Sequence, residues 1–146
     1  MRLLRSLVVV GLASALTGSV SGKRKAHEFT GLKVRLQTSD LAATVSFYRD
    51  VLGLAVVDRW SEADDAGVIF GLEGVDGRAF LEFGQVASPD NGAASVQLRI
   101  GDMASFVARL GDAWAIDGPH ERPWGSVYSY LRDPNSVQVI VYAGAV

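Results

Sequence analysis

Between Val34 and Leu54 the chain reads VRLQTSDLAATVSFYRDVLGL, and much of that pattern is written a second time 62 positions later. Val34, Leu36, Asp40, Ala42 and Val45 are matched by Val96, Leu98, Asp102, Ala104 and Val107, with Met103 in place of Leu41. Each copy begins with the alternation of a half-buried strand. It then meets an aspartate whose carboxylate can accept from the free amides of a first helical turn. In the first copy Leu41, Val45, Tyr48 and Leu52 recur at helical spacing and share one face, and Gly53 stands where a left-handed stop is wanted. The period predicts one helix over Asp40–Leu52 and a second over Met103–Leu110.

The remaining segments complete the repeat. Leu32–Thr38, Leu54–Trp60, Val68–Leu72 and Arg78–Gly84 read as the strands of the first unit, with Ser61–Gly67 a polar loop and Asp76-Gly77 a hairpin turn. Gln85–Ala93 reads as a linker. Ala94–Ile100, Trp114–Gly118, Ser126–Leu131 and Val137–Tyr142 form the second set, split by the turn Asp133-Pro134-Asn135. Two prolines assign Pro119–Gly125 to a loop. The expected fold class is α+β: two βαβββ modules, 32–84 and 94–143, neither able to close a core alone. Side by side they form one curved mixed sheet with a cleft inside the curve and both helices outside.

Composition narrows the chemistry. With 49% apolar and 21% charged residues, 146 residues suit one domain with a real core. There is no cysteine, which excludes disulfides, thiolate metal sites and cysteine nucleophiles. Arg2, Arg5, Lys23, Arg24 and Lys25 all precede residue 26; from Phe29 onward nine basic residues face fifteen acidic ones. An acidic folded part argues against a nucleic-acid partner, which needs a basic footprint. Residues 6–22 are uncharged, and Arg2 and Arg5 followed by LVVVGLASALTGSV and the small residues Ser19–Ser21 have the form of an export signal. The run is short for a membrane span. The alternatives are an uncleaved anchor, or an upstream start codon before a cytoplasmic protein; a true signal makes the product secreted or periplasmic. The reading is thus a leader and basic linker over 1–28 and a single domain over 29–146.

Three strings carry a resemblance: SDLAATVSFYRDVLGL, the glutamate of AFLEFG, and RPWGSVYSYLRDPNSVQVIVY. Together they resemble the vicinal oxygen chelate superfamily of glyoxalases, bleomycin-resistance proteins and extradiol dioxygenases, over about Leu32–Ala143. The resemblance implies paired βαβββ modules around a ligand or metal cavity, and commonly a homodimer. It also implies four metal positions, which here hold Lys33, Glu82, Ser95 and Ile140. Only Glu82 is a plausible ligand, since isoleucine cannot coordinate and an ammonium repels a cation. No metal and no cofactor are expected.

Period-two alternation turns Val34, Leu36, Val96, Leu98, Val139 and Val141 toward the helices. The cleft then receives Lys33, Arg35, Gln37, Ser95, Gln97, Arg99, Gln138, Ile140 and Tyr142, with Phe80 and Glu82 from their strand. Buried cations need partners or an anionic ligand, so this set points to an anionic or polar-aromatic small molecule. The bland reading is an ion network of Lys33, Arg35, Arg99 and Glu82 that only holds the sheet. Trp60, Phe70, Trp124, Tyr128 and Tyr130 are aromatic candidates for ligand contact or for packing. His120, the one histidine after residue 29, sits in the loop before Trp124 as a rim contact, while His27 in the leader is assigned nothing. No glycine-rich phosphate loop precedes either helix, and one imidazole supports no nucleophile triad. The expected function is sequestration of a small molecule without a metal; the alternative is a glyoxalase-like lyase or isomerase, possibly metal-dependent, using Glu82.

Overall fold

A computed structural model describes residues 30–72 and 78–145; the leader and the Asp76-Gly77 turn lie outside the described residues. The chain runs β1 (Leu32–Thr38), α1 (Leu41–Val45, continued by a wider π-helical segment, Ser46–Val51), β2 (Ala55–Ser61), β3 (Ala66–Gly71) and β4 (Ala79–Gln85). The second unit repeats it: β5 (Ser95–Arg99), α2 (Met103–Leu110), β6 (Asp117–Glu121), β7 (Val127–Arg132) and β8 (Gln138–Ala143). The two βαβββ modules and the α+β class are as the sequence implies. Hydrogen bonding divides the strands into two four-stranded sheets, ordered β1-β4-β3-β2 and β5-β8-β7-β6. Each first strand closes its module by pairing in parallel with the last, Arg35 opposite Glu82 in one and Gln97 opposite Ile140 in the other. The β1 and β5 edges meet at an apolar recess of about 200 Å³ lined by Leu32, Val34, Val96 and Leu98.

The two capping aspartates act alike. Asp40 accepts from the amide of Ala43 at 2.9 Å and Asp102 from that of Ser105 at 3.0 Å, and Gly53 takes its left-handed φ of 81°. Three local expectations change. The first helix is not uniform: from Ser46 it widens, with the Leu52 amide donating to the Phe47 carbonyl five residues back. Consecutive Phe47 and Tyr48 are thereby both turned inward, 1% and 0% exposed. The strand expected over Trp114–Gly118 starts only at Asp117, and the expected loop Pro119–Gly125 is strand as far as Glu121. β6 is an edge strand and its register shifts between Asp117 and His120, which accommodates a residue with no amide to donate.

One apolar core serves both modules. Leu36, Val68, Phe70, Leu81 and Phe83 of the first sheet join Leu131, Val139 and Val141 of the second, with Val45, Phe47, Tyr48, Met103, Phe106 and Leu110 from the helices. Tyr48 packs on Phe70 and Phe83, its ring centroid 5.4 and 4.8 Å from theirs, and Phe47 meets Trp114 edge to face at 5.0 Å. At the far end of its ring the Tyr48 hydroxyl donates to Asp133 Oδ2 at 3.0 Å. Asp133 Oδ1 accepts from the amides of Asn135 and Val137, both at 2.8 Å. The Asn135 side chain reaches back to Thr44 Oγ1 at 3.2 Å. The helix of one module and the β7–β8 turn of the other are thus fastened through a satisfied buried carboxylate.

Replacing Tyr48 by phenylalanine leaves the buried Asp133 Oδ2 with only the long 3.4 Å contact from Asn135 Nδ2, which costs about 1–3 kcal/mol; denaturant titration of wild type and Y48F measures it. Burial, then the Asp133 charge and the hydrogen bond to it, push the Tyr48 phenol far above its ordinary value. A folded pKa raised above the unfolded one gives stability that is complete below about pH 10 and declines as pH rises beyond it. Absorbance titration should therefore find the Tyr48 phenol ionising only on alkaline unfolding.

Candidate functional site

The register places the face of each sheet that turns away from the core. On the first sheet Arg35, Glu82 and Ile69 form one row, Lys33 and Phe80 the row beside it, and Gln37, Gly84, Gly67 and Trp60 the row on the other side. Glu82 is at the centre. Lys33 Nζ lies 2.5 Å from its Oε2 and Arg35 Nε 3.2 Å from its Oε1. The carboxylate side chain is only 7% exposed, whereas the two cationic side chains are 51% and 62% exposed. A buried anion is tolerable when each oxygen has a charged donor. The donors themselves keep much of their hydration.

Two facing glycines shape the floor beside this cluster. A Cβ on Gly84 would stand 2.8 Å from Arg35 Nη2, and one on Gly67 would stand 2.1 Å from Trp60 Cζ2. The Arg35 guanidinium of one edge strand and the Trp60 indole of the other therefore reach in over the neighbouring inner strands β4 and β3, in space that any other residue would fill. The Trp60 Nε1 is buried without a hydrogen-bond partner.

On the second sheet Arg99, Tyr142, Tyr128 and His120 stand in one row and Gln97, Ile140 and Tyr130 in the next, with Ser95 beside Gln138. Tyr142 and Tyr128 stack at 5.5 Å and 18°, and Tyr128 and Tyr130 at 6.4 Å and 25°. Arg122 donates to the Tyr130 hydroxyl, and its guanidinium carbon lies 5.7 and 5.9 Å from the Tyr128 and Tyr130 ring centres. Trp124 meets Tyr128 edge-on at 6.5 Å and is 63% exposed. His120 Nε2 lies 2.6 Å from Asp117 Oδ1 on the rim of a cavity of about 510 Å³ that Arg122 and Tyr130 also line.

Set against the expected residues, Lys33, Arg35 and Glu82 come together, with Phe80 on the neighbouring strand. Ser95, Gln97, Arg99 and Tyr142 share the second sheet's face, with His120 and Trp124 at its margin. The four-residue ion network is corrected: among the described residues no ion pair joins Arg99 to Glu82, because parity assigns a face but the two residues belong to different sheets. Gln37 stands on the first sheet's face in the row of Gly84. Its side-chain carbonyl accepts from the Asp90 amide at 2.8 Å, and its backbone is gripped by the Asn91 side chain, so it ties the linker down. Phe70 is core, 0% exposed. Arg122 was missed, and its signal was its position ahead of a strand whose tyrosines alternate.

The donors present do not fit a divalent cation. At the four implied positions an ammonium already occupies one Glu82 oxygen, and a serine and an isoleucine lie on the other sheet. Among the described residues no three carboxylates or imidazoles cluster as a metal would need.

The duplicated βαβββ scaffold thus presents polar and aromatic side chains on one face of each sheet. Residues 31–141 match the model of the Glyoxalase/Bleomycin resistance protein/Dioxygenase superfamily, and the chain belongs to it. A search of curated proteins finds no match. Among solved structures it is similar to TnmS3, an antibiotic binding protein from Streptomyces sp. CB03234, at 18% identity and a TM-score of 0.69 over 82% of this chain and 98% of that one. It is also similar to a lactoylglutathione lyase from Agrobacterium tumefaciens, at 25% identity and 0.58 over 77% and 92%. A third likeness is to a bleomycin resistance determinant encoded on the transposon Tn5, at 21% and 0.57 over 79% and 98%.

Since both cations of the first face remain half in water, Glu82→Gln should leave the fold intact and lower stability by no more than about 1–2 kcal/mol. Urea unfolding checks this. A loss as large as that of a core truncation would mean that the cluster holds the sheet together.

Proposed function

We propose that this protein sequesters a small organic molecule, anionic or polar-aromatic, on the sheet faces and does so without a metal. The observation that carries the reading is the arrangement about Glu82: two half-exposed cations held in place by one buried carboxylate, beside an indole seated on glycine. The carboxylate orients the cations, which keep donors for an incoming anion. Lys33, Arg35, Phe80 and Glu82 supply one half of the site. Ser95, Gln97, Arg99, Tyr142, His120 and Trp124 supply the other, with Arg122 and the tyrosine stack added. The printed descriptions of two structural neighbours, antibiotic binding and bleomycin resistance, support this direction. A lyase reading draws on the third neighbour's name, but a Glu82 whose two oxygens are each engaged by a cation is poorly placed to take a proton.

We further infer a homodimer. Lys33, Arg35, Ser95, Gln97 and Arg99 are all exposed in the single chain, and a second copy would cover these faces.

A thermal-shift screen of anionic and aromatic metabolites and drugs tests the reading. A ligand at 100 times its Kd adds about 2.7 kcal/mol of apparent stability. The expected outcome is at least one saturable hit that Arg35→Ala abolishes and Arg99→Ala weakens, a two-fold mass in sedimentation, and no turnover of methylglyoxal with glutathione. Stoichiometric zinc, nickel, iron or manganese in the purified protein, or hits indifferent to both arginines, would overturn it.

A further inference from the structure

Outside these faces the protein has a second concave feature. A cavity of about 590 Å³ lies between α1 and the β2–β3 hairpin, within the range of roughly 300–1,000 Å³ usual for small-ligand pockets. Leu41 and Val45 of the helix and Val68 of the sheet contribute apolar lining, and Arg49 and Arg59 border it. The two arginines differ. Arg49 is held by Asp50, with Nε to Oδ1 at 2.6 Å and Nη2 to Oδ2 at 2.9 Å, so its charge is matched. Arg59 forms no ion pair among the described residues, and the nearby hairpin carboxylates Glu62, Asp64 and Asp65 make none with it.

Two further observations converge on the same place. The helix leaves α-geometry at Ser46, and the widened turn that follows carries Arg49 to the cavity border; such widened turns recur at functional positions. Trp60, whose Nε1 is buried without a partner, also lines the cavity. An apolar wall, an unmatched cation and an unused N–H donor in an otherwise acidic domain select a particular chemistry. An apolar body removes the wall from water, and one terminal anion neutralises Arg59. A cationic or uncharged polar ligand gains neither.

We propose that this cavity is a second binding site, separate from the sheet faces, for an amphipathic monoanion: an aliphatic or aryl chain against Leu41, Val45 and Val68, and its carboxylate or sulfonate on Arg59. Trp60 borders both places, but Lys33, Arg35 and Glu82, the charged centre of the sheet-face reading, do not line this cavity, so the two readings fail separately.

Octanoate is a suitable probe, with octanol as its uncharged counterpart, followed by calorimetry and by tryptophan emission on the full chain. Trp60 borders the site, so saturation should shift the emission, and Trp60→Phe should remove that shift. Arg59→Ala should weaken octanoate by about tenfold, equivalent to about 1.4 kcal/mol, and leave octanol unchanged. Ala42→Leu, at an exposed helical position that lines the cavity and where leucine is a good helix former, should block both probes. Arg35→Ala should bind octanoate as wild type does. The proposal is overturned if octanoate shows no saturable binding, if Arg59→Ala and Ala42→Leu bind it like wild type, or if Arg35→Ala is the variant that loses it.

Discussion

The hydrogen bond from Tyr48 to Asp133 is the constraint from which the arrangement of this molecule follows. It joins the widened helix of the first module to the β7–β8 turn of the second. Both partners are buried, so neither can exchange the other for water without a desolvation penalty. The aspartate cannot simply turn away, because its other oxygen closes its own turn through the amides of Asn135 and Val137. Ser136, with φ of 63°, completes that turn. A hydrophobic core alone would tolerate some sliding of one module over the other. A fully satisfied polar contact between them fixes the register of the packing.

Fixing that register determines what the sheets can offer. One side of each sheet is consumed by the shared core, from Leu36 and Phe83 to Val139 and Val141. The opposite sides carry the charged and phenolic residues, and burial differs accordingly: Phe83 and Val139 are wholly buried while the Lys33 and Arg35 side chains are half in water. Glu82 is the exception, a carboxylate buried on the polar side. Its burial is created by the two cations that cover it. Removing either one would rehydrate the anion as well as delete a charge, so the three side chains behave as a unit.

Much of this was legible from the residues. Local signals that act within a few residues survived into the structure: the aspartate caps, the Gly53 stop, the bounds of α2, and the alternation that sorts Lys33, Arg35 and Glu82 from Val34 and Leu36. Signals that depend on a neighbour did not. Pro119 reads as a breaker, yet it is accommodated because its strand is an edge with a register shift, a property set by the sheet rather than by the residue. Gly67 reads as part of a polar loop, and nothing in the string reveals that Trp60 will lie on it. The grouping of Arg99 with Glu82 failed for a related reason. Period-two reasoning tells which face a side chain takes but is silent on which sheet will own the strand.

The charge cluster about Glu82 has a physical logic of its own. A divalent cation fixes its ligands by short, directional bonds and presents a concentrated charge to whatever binds. The cluster here distributes positive charge over an ammonium and a guanidinium on flexible stems, with one carboxylate keeping both near the centre of the face. The result is a softer and larger field, suited to a delocalised anion or an electron-rich ring more than to a single oxygen atom. The glycine pair under Arg35 and Trp60 extends the same logic, since the side chains omitted there leave a flat surface where a cation and an aromatic plane sit side by side. On such a surface positive charge and apolar area are spread over several side chains and are not concentrated at one atom.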